Sequence, residues 1–241
     1  MSGPSEGGGN TYGTGHLTSP KVGTRQVVLW RHGRTAWNVA GRVQGSSDIP
    51  LDDVGRQQAR DAGEQLALLR PSRIISSDLS RALETAETLG AITGVEVETD
   101  QRFREMSFGV REGLTWKQAW QQYPAQMEAW VNGDETQIPG SETHQMAGER
   151  FAEGLHEKLD EREDRVTVIV AHGGVLRAGA CAFLGLPLEF WHTFGGLNNC
   201  SWSVLEQNRH EDWMQWRLTE WNSGTLPLPV LSDDEPDDAD E

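Results

Sequence analysis

The run Arg165–Ala171 (RVTVIVA) most constrains what this chain can fold into. It is almost continuously apolar and rich in β-branched residues. Such a strand has no solvent face, so both of its sides must be covered, as happens in a parallel sheet packed between helices. Gln26–Trp30 (QVVLW) has the same character, and Arg73–Ser76 and Val95–Val97 read as shorter strands. Between these runs apolar residues recur at helical spacing. Leu51–Leu69 is one such segment, stopped by Pro71; Leu79–Ile92 is a second, ended by Gly94. Leu114–Tyr123 and Ala125–Asn132 read as helical pieces broken by Pro124, followed by helices over Thr143–Glu163 and Gly174–Leu184. Cys200–Glu206 and Trp213–Glu220 alternate in the manner of paired strands. The alternation predicts an α/β fold in three layers, α/β/α, with a mostly parallel mixed sheet flanked by helices over residues 26–222. Residues 1–25, rich in Gly, Ser and Thr, and the acidic residues 223–241 read as disordered.

In such sheets ligands bind beyond the carboxyl ends of the strands. Two strands end there in a His-Gly pair: Arg31-His32-Gly33-Arg34-Thr35 after the first, and His172-Gly173-Gly174 after the run at 165–171. Glycine at these places lets the backbone turn sharply or approach a ligand closely. Arg81 falls in the first turn of the helix after the second strand, within Ser77-Asp78-Leu79-Ser80-Arg81-Ala82. Glu105 lies between aromatic and apolar neighbours in Arg102-Phe103-Arg104-Glu105-Met106-Ser107-Phe108-Gly109, a setting that raises a carboxyl pKa and suits acid–base work. Arg102 and Arg104 would oppose that rise if they pointed inward. Taken singly, Arg81 reads as a solvated helix arginine and Glu105 as a loop glutamate.

Together these residues carry a resemblance. Arg31-His32-Gly33 with Thr35 and Asn38, the Ser77–Ala82 stretch, Glu105 ahead of Phe108-Gly109 and Glu112-Gly113, and His172-Gly173 resemble the histidine phosphatase superfamily, which includes cofactor-dependent phosphoglycerate mutases. More narrowly, Arg42-Val43-Gln44-Gly45, Gly195–Trp202 and Trp216–Asn222 are similar to actinobacterial glucosyl-3-phosphoglycerate phosphatases. The resemblance implies a phosphoglycerate mutase-like fold. It also implies that His32 attacks phosphorus, that Glu105 is the general acid and that His172, protonated against the bound phosphate, stabilises charge on the phosphoryl oxygens. Arg31, Arg81, Asn38, Gln44 and Gly173 would bind substrate. It further implies a small phosphorylated substrate, no cofactor or metal, and a possible homodimer. Mutases of the family follow RHG with Glu-Ser and have a longer segment between the acid–base Glu and the second His. Here Arg34-Thr35 follows RHG and that segment is short, which favours hydrolysis over mutase transfer.

The formal charge is −16, of which seven acids lie in Ser232–Glu241. That balance excludes nucleic acid, which demands a basic surface, and an anionic membrane. It does not exclude a small anion, because salt screens exposed charge beyond about 8 Å. No apolar run approaches membrane-spanning length, and residues 1–25 lack a signal-peptide pattern, so a cytoplasmic protein is expected. Cys181 reads as a buried free thiol, and the Trp residues at 116, 120 and 130 as core. Trp37, inside the RHG loop, is better placed than these to line a pocket, and Thr143 reads as a helix N-cap. His16, His144, His156, His192 and His210 read as surface or tail residues.

Overall fold

The computed structural model describes residues 24–208 and 215–224. The expectations for the amino-terminal segment and acidic tail, for His16 and His210, and for the start of the Trp213–Glu220 strand lie almost wholly outside them. The strands are β1 (Gln26–Arg31), β2 (Arg73–Ser76), β3 (Val97–Thr99), β4 (Val166–Ala171), β5 (Trp202–Gln207) and β6 (Trp216–Ser223). They form one sheet in the order β3-β2-β4-β1-β5-β6. The pairs β3-β2, β2-β4 and β4-β1 are parallel, whereas β1-β5 and β5-β6 are antiparallel.

Side chains alternate across each strand, and here both faces are apolar. Val27, Leu29, Ile75, Ile169 and Ala171 join one core, against α6 (His144–Glu161) and α7 (Gly173–Phe183). Val28, Trp30, Ile74, Val168 and Val170 join the other, against α2 (Asp53–Ala67) and α3 (Ser80–Thr93). Each large apolar side chain so buried is worth about 1.5–3 kcal/mol relative to exposure. Fully buried Trp30 also satisfies its indole N–H, which donates to the Cys200 carbonyl at 3.2 Å. Cys181 and Cys200 are buried free thiols.

The helix ends follow their residues. Asp52 caps α2 by accepting from Gly55 N–H, and Gly94, at φ 74°, closes α3. Thr143 caps α6 by accepting from Met146 N–H. Pro124 occupies the first turn of α5 (Pro124–Val131), where a missing N–H costs nothing, and α4 (Trp116–Gln122) precedes it. The third strand departs from the expected Val95–Val97. After the left-handed turn at Gly94 the chain needs two residues to reach the sheet, so pairing begins at Val97 opposite Ile74. A short helix not read from the sequence, α1 (Ala36–Val39), follows RHG. Trp116, Trp120 and Trp130 are half-buried and pack around Ala119, Met127 and Ile138, a small cluster apart from the two main cores.

Candidate active site

Sheet register brings the strand-end residues together. Arg31 pairs with Ala171 across β1 and β4, and Ser76 pairs with Val170 across β2 and β4. The next residues, His32, His172 and Ser77, therefore emerge side by side at one edge. His32 N–H donates to the Ala171 carbonyl at 3.0 Å, and the two imidazole centroids are 5.1 Å apart. Arg31, His32, Arg81 and His172 are all at most 2% exposed.

His32 Nδ1 donates to the Gly33 carbonyl at 2.7 Å. That bond requires the proton on Nδ1, leaving the Nε2 lone pair for attack on an electrophile. Burial, then the charges of Arg81 and Arg31, hold the His32 pKa well below its ordinary value, so the ring is neutral at pH 7. His172 is shifted in the same direction by burial, Arg81, His32 and Arg31. The expectation of a protonated His172 concerns the phosphate-bound site. In the ligand-free pocket burial first, then the neighbouring guanidiniums and imidazole, favours the neutral ring, and an entering anion acts in the opposite sense. His172 Nε2 lies 2.9 Å from Ser77 Oγ.

The guanidiniums are held by carbonyl oxygens. Arg81 donates to Ser47 O at 2.7 Å and Gly45 O at 2.8 Å, and Arg31 to Leu197 O. Gly173 lies against Arg31: a Cβ there would stand 3.3 Å from Arg31 Cζ. A larger residue would press the guanidinium out of place. Gly33 serves packing rather than a ligand, since an added Cβ would collide with the Gly55 carbonyl at the start of α2.

Thr35 organises the neutral amides. It forms a capping box with Asn38, whose Oδ1 accepts from Thr35 N–H and Oγ1 at 3.1 Å. The Thr35 hydroxyl lies 2.9 Å from Gln44 Oε1. Asn199 Nδ2 donates to the His32 carbonyl and to Asn38 Oδ1, both at 3.2 Å. Gln44 Nε2 and His172 Nδ1 are buried without a hydrogen-bond partner among the described residues. Buried polar atoms in that state are costly.

Glu105 is 5% exposed. Oε2 accepts from Gly174 N–H at 3.0 Å, and Oε1 from Val175 N–H at 2.8 Å and Met106 N–H at 3.0 Å. Burial raises its pKa, and these backbone donors and the Arg81 charge only partly offset the rise. Arg102 and Arg104 do not point inward. Arg102 is tied to Asp100 and Glu157, and Arg104 makes two 2.6 Å bonds to Asp78. A carboxyl with a raised pKa can donate a proton near neutral pH and take one back.

Trp37 is half-buried and packs against Gly113. His144 is not the surface residue expected. It is 5% exposed, its Nδ1 hydrogen-bonds Glu135, and its Nε2 accepts from Arg177 at 2.9 Å. As the first residue of α6 it faces α7 rather than solvent. The nearby cavity of about 620 Å³, lined by Trp130, Glu135, His144, Leu188 and His192 among others, contains none of the strand-end residues. His156 and His192 are exposed as expected. Among the described residues no group of three or more His, Cys, Asp or Glu is placed to hold a metal ion, and no helix is long and apolar enough to cross a membrane. Ser77, Thr35 and Asn199 have roles here that the sequence did not announce. The signals available were the Thr-x-x-Asn spacing after RHG and the place of Ser77 and Asn199 in the stretches Ser77–Ala82 and Gly195–Trp202.

Comparison with known proteins bears on family and fold. The model of the histidine phosphatase superfamily, branch 1, matches residues 27–224. Glucosyl-3-phosphoglycerate phosphatase of Mycolicibacterium vanbaalenii is 37% identical over 213 residues, covering 83% of this chain and 95% of its own. A probable phosphoglycerate mutase of Salmonella paratyphi C is 35% identical over 201 residues, covering 81% and 89%. Among solved structures, a mycobacterial glucosyl-3-phosphoglycerate phosphatase complexed with VO3 has TM-score 0.74 at 40% identity, covering 83% of this chain and all of its own. A mutant phosphoserine phosphatase of Entamoeba histolytica, in complex with phosphoserine, has TM-score 0.72 at 26% identity, covering 83% and 97%. With a six-stranded phosphoglycerate mutase-like sheet and a family match running from β1 to the end of β6, the chain belongs to the histidine phosphatase superfamily.

Proposed function

We propose that this chain is a metal-independent phosphomonoesterase acting through a phosphohistidine at His32, and that its substrate is glucosyl-3-phosphoglycerate or a related sugar or glycerate phosphate. The observation that carries the reading is His32 itself: a buried neutral imidazole, Nδ1 engaged by the Gly33 carbonyl, beside two guanidiniums. In the first step His32 Nε2 forms a bond to phosphorus and the ester P–O bond breaks. The departing oxygen takes the proton of Glu105. In the second step water attacks the phosphohistidine, gives its proton to Glu105, and releases phosphate and neutral His32.

Arg31 and Arg81 supply planar donor forks for the phosphoryl oxygens. Asn38 and Gln44 add neutral donors, and Gly173 admits the close approach of Arg31. His172 gains a proton as the dianion enters and then donates to it. The substrate rests on the relatives named glucosyl-3-phosphoglycerate phosphatase. A cytoplasmic location and a homodimer belong to the same reading; light scattering of the purified chain checks the second.

Three assays test it. Across glucosyl-3-phosphoglycerate, 3-phosphoglycerate, phosphoserine and p-nitrophenyl phosphate, kcat/KM is expected to be highest for the first by at least ~10-fold; a flat profile overturns the substrate. With 3-phosphoglycerate and a trace of 2,3-bisphosphoglycerate, release of inorganic phosphate is expected, and rapid formation of 2-phosphoglycerate overturns hydrolysis in favour of transfer. Excess EDTA is expected to leave activity intact, and its loss overturns the metal-free mechanism.

A further inference from the structure

We propose that Glu112 is a positioning residue for Arg81, acting through the single peptide unit between Gly45 and Ser46. The proposal rests on the reading of Arg81 as a phosphoryl-binding residue. Glu112 sits just after the short 3-10 turn Gly109–Arg111, at the start of the segment that leads to α4. Its carboxylate is saturated, mostly by one loop. Oε1 accepts from Ser46 N–H at 3.0 Å, the Ser46 hydroxyl at 2.9 Å and Phe108 N–H at 3.2 Å. Oε2 accepts from Ser47 N–H at 3.1 Å and the Ser47 hydroxyl at 2.8 Å.

The loop's other side faces Arg81, whose guanidinium donates to Gly45 O and Ser47 O. Gly45 C=O and Ser46 N–H belong to one planar trans peptide, so they point in opposite directions. Glu112 holding the N–H therefore aims the carbonyl at Arg81. The chain runs from an anion through a polarised amide to a cation, an order in which each hydrogen bond strengthens the next. Gly45 has φ 55°, and a Cβ there would strike the Glu112 carboxylate, so the contact admits glycine only.

The loop is pinned at both ends independently of Glu112. Gln44 is held by the Thr35 hydroxyl, and Asp48 accepts from Ser80 N–H at 2.8 Å and its hydroxyl at 2.7 Å. Removing Glu112 thus loosens only residues 45–47, where the Gly45 and Ser47 carbonyls grip Arg81 and Ser47 N–H keeps its bond to the Gln44 carbonyl at 3.1 Å. Ser46 is exposed, so water replaces much of what its N–H loses and folding is little affected.

A double-mutant cycle tests this, with kcat and KM measured separately and inhibition by vanadate as a second readout. Arg81→Ala alone is expected to lower kcat/KM by ~10²–10³-fold. Glu112→Ala is expected to lower it ~10-fold, mainly in kcat, and to weaken vanadate by a similar factor, yet to cost less than ~2-fold in the Arg81→Ala background. Glu112→Gln keeps an oxygen for Ser46 N–H but loses the charge and the acceptor for Ser47 N–H, so it is expected to recover part of the loss, which separates the relay from simple damage should Glu112→Ala fold poorly. Equal losses in both backgrounds, or no loss from Glu112→Ala while Arg81→Ala is crippled, overturn the relay alone. If Arg81→Ala itself is active, the assignment of Arg81 falls and the relay with it.

Discussion

His32→Ala is expected to lower kcat/KM for p-nitrophenyl phosphate by at least ~10³-fold, or about 4 kcal/mol of transition-state stabilisation. The size follows from the role. Without Nε2 no covalent intermediate forms, and the arginines and His172 are left to favour direct attack by a water they do not position. Binding should survive, because Arg31 and Arg81 are held by the carbonyls of Leu197, Gly45 and Ser47 and not by the imidazole. Inorganic phosphate should therefore still bind the variant. The fold should survive too, since His32 N–H and C=O keep their partners at Ala171 and Asn199. Steady-state kinetics with a melting curve of the variant check both. Activity within tenfold of the parent would remove His32 as the nucleophile.

Glu105→Gln carries the second large effect, ~10²–10⁴-fold for esters of sugar or glycerate alcohols. Glutamine keeps the carbonyl oxygen but has no proton to give an alkoxide. It also turns an amide N–H₂ toward backbone donors at Gly174, Val175 or Met106, all of which now donate to the carboxylate. The loss should shrink for p-nitrophenyl phosphate, whose leaving group needs no proton. The pH profile carries the sign. Glu105 must be protonated to donate, and its raised pKa means that form persists to higher pH than for an ordinary carboxyl. Activity toward alkyl esters therefore falls as pH rises through that raised pKa. His32, with its lowered pKa, stays nucleophilic as pH falls below the usual imidazole range. Glu105→Gln should remove the alkaline limb; a limb unchanged in the variant belongs to another group.

Much of this was legible in the residues, for identifiable reasons. Strands apolar on both faces, such as Arg165–Ala171, admit few folds, and the carboxyl-edge rule turned two His-Gly pairs into one site before any distance was known. Glu105 is buried as its apolar setting implied, and the outward pairing of Arg102 with Asp100 and Glu157 and of Arg104 with Asp78 removed the one objection to it. What escaped depended on contacts distant in sequence. The downward pull on the His172 pKa arises from its burial and from Arg81 and Arg31, each far along the chain, and no local pattern reports it. His144 carries no motif, and its burial follows only from how α6 packs on α7. The two-residue shift of β3 came from the geometry of the Gly94 turn, which hydrophobic patterning does not sense. Glu112 was visible only as part of a family-like Glu-Gly pair, because its partners lie in a loop more than sixty residues upstream.

The central claim is that phosphorus passes through His32. The direct measurement is rapid quenching of the enzyme during turnover of a phosphorus-labelled ester, followed by peptide mapping of the labelled protein. A phosphoryl group on His32, stable to base and labile to acid, formed and lost fast enough to account for kcat, is the predicted result. A phosphoryl group on any other residue, or full turnover with no labelled protein at any time, would contradict it.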